Sequence, residues 1–144
     1  MTAPERRLVY LINVGQRRLQ RWIQTRTGEG VTAAQSGLLF FLEKNDGALM
    51  REAGAALDLG PSAMSGLVDR TADAGLIERR SDARDGRAWQ LWLTDAGRAA
   101  LVQTRAGLTE LNTRLTDGFT DAEIDVVARW LSSLQTKFPN GDEP

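Results

Sequence analysis

A tight break between two short helical segments, Asp58-Leu59-Gly60, is the feature that most constrains this fold. Pro61 follows it, at the position favoured for a first helical residue, and Gly75 stands where a glycine commonly ends a helix. The pattern therefore predicts two short helices joined by a sharp turn within residues 48–75. Apolar side chains at helical spacing predict the buried side of the second one, namely Met64, Leu67 and Val68.

The other side of the second helix carries mostly small residues, which let a helix approach another surface closely. These outward positions are Ser62, Ala63, Ser65, Gly66, Asp69 and Arg70. The two serines have a simpler role open to them, because serine near a helix start often caps the backbone. Arg70 could equally pair with Asp69, with Asp73 or with the interior.

Two short β-prone segments follow, around an Asp85-Gly86 turn signal, and predict a hairpin. In its second strand Trp89, Leu91 and Leu93 alternate onto one face, which leaves Gln90 and Trp92 on the other. We therefore expect Trp92 to be unusually exposed. The hairpin also contains four arginines: Arg79, Arg80, Arg84 and Arg87.

Helices are predicted on both sides of this segment. The first runs from about Pro4 to Thr27, with Gly28 as its stop. Thr32 opens the second, and because residues 38–42 are apolar on nearly all sides, this helix belongs in the middle of the fold. A long helix follows Thr94 and ends near Thr116, and a last one opens at Thr120.

The amino-acid composition excludes several classes of function. A chain of 144 residues with 42% apolar content is long enough for one domain with a real core. Without Cys or His it cannot hold a disulfide, a thiolate nucleophile, a Cys/His metal site or an imidazole base. We expect no enzyme, no catalytic residues, no metal and no cofactor. All the basic residues except Lys44 and Lys137 are arginines, the planar cation that suits phosphate and base edges.

Residues 57–101 resemble the multiple antibiotic resistance regulator (MarR) family. Three motifs carry the resemblance: Gly75-Leu76-Ile77-Glu78-Arg79, the pattern Asp82-x-Arg84-Asp85-x-Arg87, and Leu93-Thr94-x-x-Gly97. It implies a mainly α fold with a small β-hairpin wing: a winged helix-turn-helix lobe at about 32–100, and dimerisation helices at about 4–27 and 101–138. It also implies a homodimeric regulator that binds near-palindromic double-stranded DNA, and we expect this regulator to be a repressor released by a small ligand.

The resemblance also assigns roles in DNA binding. The small-residue face, from Ser62 to Arg70, would read the major groove, where base edges are distinguishable. Arg84 at the wing tip matches the arginine that enters the minor groove, held in place by Asp82. Arg87, Arg79 and Arg80 would meet phosphates. The alternative is that these arginines form ion pairs with Glu78, Asp82 and Asp85 in a solvated hairpin.

Two positions depart from the family pattern. Gly66 stands where a larger polar or basic residue is common, and Thr71 where leucine is usual. Gly66 removes a possible contact and costs helix stability, about 1 kcal/mol against alanine. It could instead permit a closer approach of the backbone.

Apolar seams at both chain ends predict pairing between subunits. The expected contacts are Leu8, Leu11, Ile12, Ile124, Val127, Leu131 and Leu134. The ends also differ in charge, with six Arg against two Glu in residues 1–30 and three basic against seven acidic residues in 109–144. The same apolar residues could instead form a core within one chain.

The family resemblance also implies a small aromatic or phenolic effector. Candidate contacts lie along one flank of the first helix: Leu11, Gly15, Arg18 and Trp22. Arginine beside apolar surface can take a carboxylate. Alternatively, Trp22 is core and Arg18 is solvated or paired with the acidic C-terminus.

No apolar run is long enough for a membrane span, and residues 1–10 lack the apolar core of a signal peptide, so we expect a cytoplasmic protein without a membrane partner. Two other functions stay open. A winged-helix module for protein contacts would have a wing without basic groups, which this sequence does not show. A small-molecule binder or hydrolase would need paired acids on an apolar face, and the sequence displays no such pair.

Overall fold

The computed structural model describes residues 7–27 and 30–139. Six helices and one hairpin make up this part of the chain. In order they are α1 (Leu8–Thr27), α2 (Ala33–Lys44), α3 (Met50–Leu57), α4 (Pro61–Asp73), β1 (Ile77–Ser81), β2 (Trp89–Leu93), α5 (Asp95–Thr116) and α6 (Asp121–Lys137). The mainly α fold with a hairpin wing is therefore confirmed.

Helix α2 forms the centre of the core. Its Leu38, Leu39 and Leu42 are fully buried, and each such side chain contributes roughly 1.5–3 kcal/mol of transfer free energy. The surrounding elements add buried side chains from α3, α4, both strands and the start of α5, namely Ala53, Met64, Leu67, Val68, Ile77, Leu91, Leu93 and Leu101. The prediction that the apolar helix lies in the middle of the fold is confirmed.

The predicted turn separates α3 from α4. Asp58 adopts the left-handed conformation with a φ of 57°, and the Leu59 amide donates to the Gly54 carbonyl at 2.9 Å. Gly54 also allows close packing, because a Cβ added there would lie 3.0 Å from Met64 Cγ. Pro61 then begins α4. The two helices are thus fixed at a short distance by backbone geometry.

The hairpin is antiparallel and is tied to the core beside it. Ile77 faces Leu93 and Ser81 faces Trp89 across the two strands. An isolated bridge joins Leu49 to Gln90, so the segment before α3 pairs with the outer side of β2. This third piece of the sheet has no periodic sequence pattern, and we did not predict it.

The chain-end helices pack less fully. Neither α1 nor α6 buries any of its described side chains. Several of their large apolar residues are more than two-fifths exposed, including Leu8, Leu11, Val127 and Leu131. Within residues 7–27 and 30–139, no helix has the length and apolar character required to cross a membrane.

Helix boundaries agree with the predictions at most ends. Thr32 and Thr120 both form the expected capping boxes, with Gln35 and Glu123 respectively. Helix α1 begins at Leu8, whereas the predicted start at Pro4 and the stop at Gly28 lie outside the described residues.

The prediction that Trp92 is exposed was wrong. Its indole is half-buried, because the ring packs on Gly47 from one side and lies under the Arg80 guanidinium, 4.9 Å from the ring centroid. Trp89, on the core-facing side of β2, is instead 44% exposed. It stands at the end of the strand, beyond the reach of the core.

Gly97 should tolerate no side chain. A Cβ there would lie 2.1 Å from the Leu76 carbonyl oxygen, so Gly97→Ala forces the backbone of α5 away from the segment before β1. We expect a loss of about 2 kcal/mol or more in the free energy of unfolding, measured by urea denaturation.

Gly107→Ala is the matched control in the same helix. A Cβ at Gly107 meets nothing within 4 Å, so the change should stabilise α5 by up to about 1 kcal/mol. Equal effects of the two substitutions would contradict the close approach at Gly97.

The capping box of α6 should make stability depend on pH. Hydrogen bonds from the Thr120 amide, and then from its side chain, lower the pKa of Glu123 from its usual 4.5. Its stabilising contribution is therefore present above the ordinary pKa and is lost as pH falls through the lowered value. An NMR titration of Glu123 should give a midpoint below 4.5. Glu123→Gln should remove this part of the pH dependence, and a midpoint at or above the ordinary value would contradict it.

Candidate nucleic-acid interface

The outward face of α4 is open, as predicted. Met64, Leu67 and Val68 anchor the helix in the core, while Ser62, Ala63 and Ser65 are exposed. Because Pro61 occupies the first position and Gly60 provides no side-chain cap, the N-terminal turn of α4 presents only small groups. Such a surface can approach a groove closely.

Thr71, one of the two departures from the family pattern, is compatible with the core. Its side chain is fully buried, and its hydroxyl donates to the Leu67 carbonyl at 2.6 Å. The hydrogen bond satisfies the buried hydroxyl within α4 itself. Thr71 therefore belongs to the packing of α4 and not to its outward face.

Gly66, the other departure, makes room for Arg70. A Cβ on Gly66 would lie 3.1 Å from Arg70 Nη1, so the guanidinium extends along the helix over the glycine. Arg70 forms no ion pair within the described part of the chain, with Asp69 and Asp73 included. This places an unpaired cation on the small-residue face.

The wing turn is shaped by its own carboxylates. Asp82 Oδ1 accepts from the Arg84 amide at 3.4 Å, and Asp85 Oδ1 accepts from the Arg87 amide at 3.0 Å. Asp82 was predicted to hold Arg84 in place; the contact is with the main chain and not with the guanidinium. Both acids are thereby engaged in turn geometry.

The two arginines of the turn are left available. Arg84 and Arg87 are exposed and form no ion pair in residues 7–27 and 30–139. The alternative of a wing whose charges cancel one another therefore does not describe these two side chains.

Arg79 and Arg80 are engaged elsewhere. Arg79 Nη1 lies 2.5 Å from Asp69 Oδ1 on α4, which joins β1 to the outward side of that helix. Arg80 Nη2 lies 3.1 Å from Glu78 Oε2, and its guanidinium also covers Trp92. Of the four hairpin arginines, Arg80 alone pairs with an acid of the hairpin itself.

A network of side-chain hydrogen bonds along the wing was not predicted from the sequence. Trp92 Nε1 donates to Gln90 Oε1 at 3.3 Å, and Gln90 Nε2 donates to Asp82 Oδ1, also at 3.3 Å. These hydrogen bonds link the base of the hairpin to the Asp82 carboxylate, which accepts from the Arg84 amide. Strand alternation placed Gln90 and Trp92 on one face, and this was the signal that could have revealed it.

Asp46 was also missed. Its Oδ1 accepts from the Leu93 amide at 2.8 Å, and its Oδ2 from Arg98 Nη2 at 2.8 Å. The one carboxylate ties the end of α2 to the base of the wing and to α5. A turn signal was all that the sequence displayed at this position.

The candidate effector residues share one flank of α1. Leu11, Gly15 and Arg18 are exposed, and Trp22 is half-buried with the Arg114 guanidinium 5.6 Å from its ring centroid. Arg18 forms no ion pair within the described residues. The contact with Arg114 partly covers Trp22, so the two ends of the flank differ in accessibility.

The predicted subunit contacts remain at least partly open in the single chain. Leu8, Leu11, Val127 and Leu131 are exposed, and Ile12, Ile124 and Leu134 are half-buried. The alternative of a complete core formed within one chain is therefore not what the structure displays.

Known proteins with similar sequences and folds are transcription regulators. The sequence model of the MarR family matches residues 29–88, which include α2, α3, α4, β1 and the wing turn. The HTH-type transcriptional repressor MdtR of Bacillus subtilis (strain 168) is 28% identical over 102 residues. That match covers 71% of the chain and 66% of MdtR, slightly less than two thirds of the relative.

Solved structures show the same fold. The transcriptional repressor CouR, bound to a 23-mer DNA duplex, superimposes with a TM-score of 0.79 at 26% identity, over 88% of this chain and 91% of CouR. The PcaV regulator of Streptomyces coelicolor, in complex with its natural ligand, gives a TM-score of 0.86 at 22% identity, over 94% and 98% of the two chains. MdtR and CouR are named as transcriptional repressors, and PcaV as a transcriptional regulator. The family match, the relative and the shared fold together show that the chain is similar to transcription regulators of the MarR family.

Proposed function

We propose that the chain is a sequence-specific regulator of transcription that binds double-stranded DNA through α4 and the wing. One observation carries the proposal: the open small-residue face of α4 is flanked by a wing turn whose two arginines have no acidic partner in the described residues. Unpaired guanidinium groups can bind DNA phosphates, and a helix face of small residues can enter a DNA groove.

Helix α4 would read the major groove. A helix fits that groove, and Ser62 and Ser65 can donate to or accept from base edges there. Arg70 lies along the same face over Gly66, where a planar guanidinium could bind guanine with two hydrogen bonds. Ala63 and Gly66 would contribute close approach and not polar contacts.

The wing would enter the adjacent minor groove with Arg84. A narrow minor groove concentrates negative potential, which favours an unpaired guanidinium. Asp82 serves by fixing the backbone at Arg84, and Arg87 binds a neighbouring phosphate. For Arg79 and Arg80, phosphate contact competes with the ion pairs to Asp69 and Glu78, so we assign these two a smaller share of the affinity.

The regulator would act as a homodimer on a near-palindromic site. The exposed apolar residues of α1 and α6 give each subunit a surface that association would cover. Residues 4–27 and 101–138 would form the dimerisation region, and residues 32–100 the DNA-binding lobe. Two-fold symmetry of the protein then requires two half-sites in the operator.

We further propose that the protein represses transcription and that a small ligand releases it from DNA. MdtR and CouR are named as repressors, and PcaV is described with its natural ligand. For this chain, the flank formed by Leu11, Gly15, Arg18 and Trp22 stays the effector site predicted from sequence. An aromatic or lipophilic compound is the expected class.

Arg84→Ala should weaken binding to the specific duplex by about 1–3 kcal/mol, because it removes a groove contact. Fluorescence anisotropy with a duplex selected for binding measures the change. Arg129→Ala on α6 is the control and should leave affinity within about twofold. The logarithm of the wild-type protein's affinity for DNA should also fall linearly with the logarithm of the salt concentration, because binding neutralises phosphates. An unchanged affinity for Arg84→Ala would remove the wing tip from the interface.

Leu131→Glu should convert the dimer to a monomer at micromolar concentration. The substitution places a charge in the apolar seam of α6, and burying it without a partner would weaken association by at least about tenfold, or 1.4 kcal/mol. Thr136→Glu, on the opposite side of the same helix, should leave the dimer intact. Light scattering distinguishes the species, and a monomeric wild type would refute the dimer.

A further inference from the structure

Gln90 uses both ends of its carboxamide inside the hairpin. Its Oε1 accepts from Trp92 Nε1 at 3.3 Å, and its Nε2 donates to Asp82 Oδ1 at 3.3 Å. The indole N–H is a donor only, and an ionised carboxylate is an acceptor only. A side chain that joins the two must therefore both accept and donate, which a carboxamide does and a carboxylate, an ammonium or a thioether does not.

The Trp92 end of this bridge is anchored to the rest of the lobe. The ring packs so closely on Gly47 that a Cβ added there would lie 2.5 Å from Trp92 Cζ2. The Arg80 guanidinium also covers the ring, 4.9 Å from its centroid. The main chain is fixed beside it, because the Gly47 amide donates to the Leu91 carbonyl at 2.8 Å. Gln90 thus extends from an indole that is held on several sides.

At its other end, Gln90 competes for the Asp82 carboxylate. Asp82 Oδ1 accepts from Gln90 and also from the Arg84 amide at 3.4 Å, while the Asp82 amide donates to the Ala88 carbonyl at 3.0 Å. The Asp82 side chain forms no ion pair within the described part of the chain. A carboxylate beside exposed guanidinium groups would gain by pairing with one of them. The donor from Gln90 opposes that pairing, because it holds Oδ1 at the main chain.

We propose that Gln90 is a positioning residue for DNA binding. It holds the Asp82 carboxylate against the Arg84 amide, which fixes the wing tip on the anchored Trp92 and keeps the Arg84 guanidinium free of an acidic partner. The role in DNA binding rests on the proposed function, in which Arg84 enters the minor groove. Gln90 is half-buried and acts through Asp82 and Arg84.

Gln90→Met tests this role, because methionine keeps the length of the side chain and removes both hydrogen bonds. Fluorescence anisotropy with the selected duplex should give about fivefold weaker binding than wild type, a smaller loss than for Arg84→Ala. Gln103→Met, the same change at an exposed position of α5, should leave the affinity within about twofold. Circular dichroism establishes that each variant is folded.

A double variant separates positioning from general damage to the fold. If Gln90 acts through Arg84, adding Gln90→Met to Arg84→Ala should change the affinity by less than about twofold. Trp92→Phe keeps a ring over Gly47 but removes the indole donor, so it should weaken DNA binding less than Gln90→Met does. Hydroxyl-radical footprinting of Gln90→Met should show reduced protection of the minor groove, with the major-groove segment still protected.

NMR of the free protein tests the contact itself without DNA. The indole N–H signal of Trp92, assigned from Trp92→Phe, should move upfield in Gln90→Met because its acceptor is lost. The Arg84 amide signal should also move, since Asp82 is no longer held beside it. Gln103→Met should leave both signals in place.

Three results would overturn the proposal. The first is unchanged DNA affinity in Gln90→Met, and the second is an equal loss from Gln90→Met in wild type and in Arg84→Ala, which would mean that Gln90 contacts DNA itself or supports the fold in general. The third is a pair of NMR signals that do not respond. If wild type prefers no duplex, the proposed function fails, and the NMR comparison still decides whether Gln90 fixes the wing turn.

Discussion

Burial of α2 determines how the other helices and the hairpin pack. Leu38, Leu39 and Leu42 require apolar partners on several sides, and α4 provides them with Met64, Leu67 and Val68. Once these side chains face inward, the small residues of α4 must face outward. The exposed face of the helix is thus determined by the core behind it, and close packing at Gly54 and Gly97 keeps the neighbouring elements at fixed distances.

Acidic and basic residues have different roles in this arrangement. Asp82 and Asp85 hold main-chain amides of the wing turn, Asp46 holds its base, and Asp69 holds Arg79. The acids are therefore used to position the backbone and one strand. Arg84, Arg87, Arg70 and Arg51 are left without ion pairs in the described residues. A net charge near zero consequently coexists with a locally cationic surface.

Local patterns were sufficient to predict the elements of the fold. Capping boxes at Thr32 and Thr120, Pro61 and the alternation in β2 depend on nearby residues, and each one was found in the structure. Contacts between distant residues were not predictable in this way. The bridge from Leu49 to Gln90, the role of Asp46 and the burial of Trp92 beside Gly47 depend on tertiary placement.

Selection of bound sequences from random duplex DNA, followed by hydroxyl-radical footprinting of the selected duplex, tests whether α4 and the wing bind adjacent grooves. Two inverted half-sites should emerge, each with base preferences in a major-groove segment and protection of the minor groove immediately beside it. Arg84→Ala should lose the minor-groove protection while the major-groove preference persists. Failure to enrich any sequence over competitor DNA at moderate salt would contradict sequence-specific DNA binding by this protein.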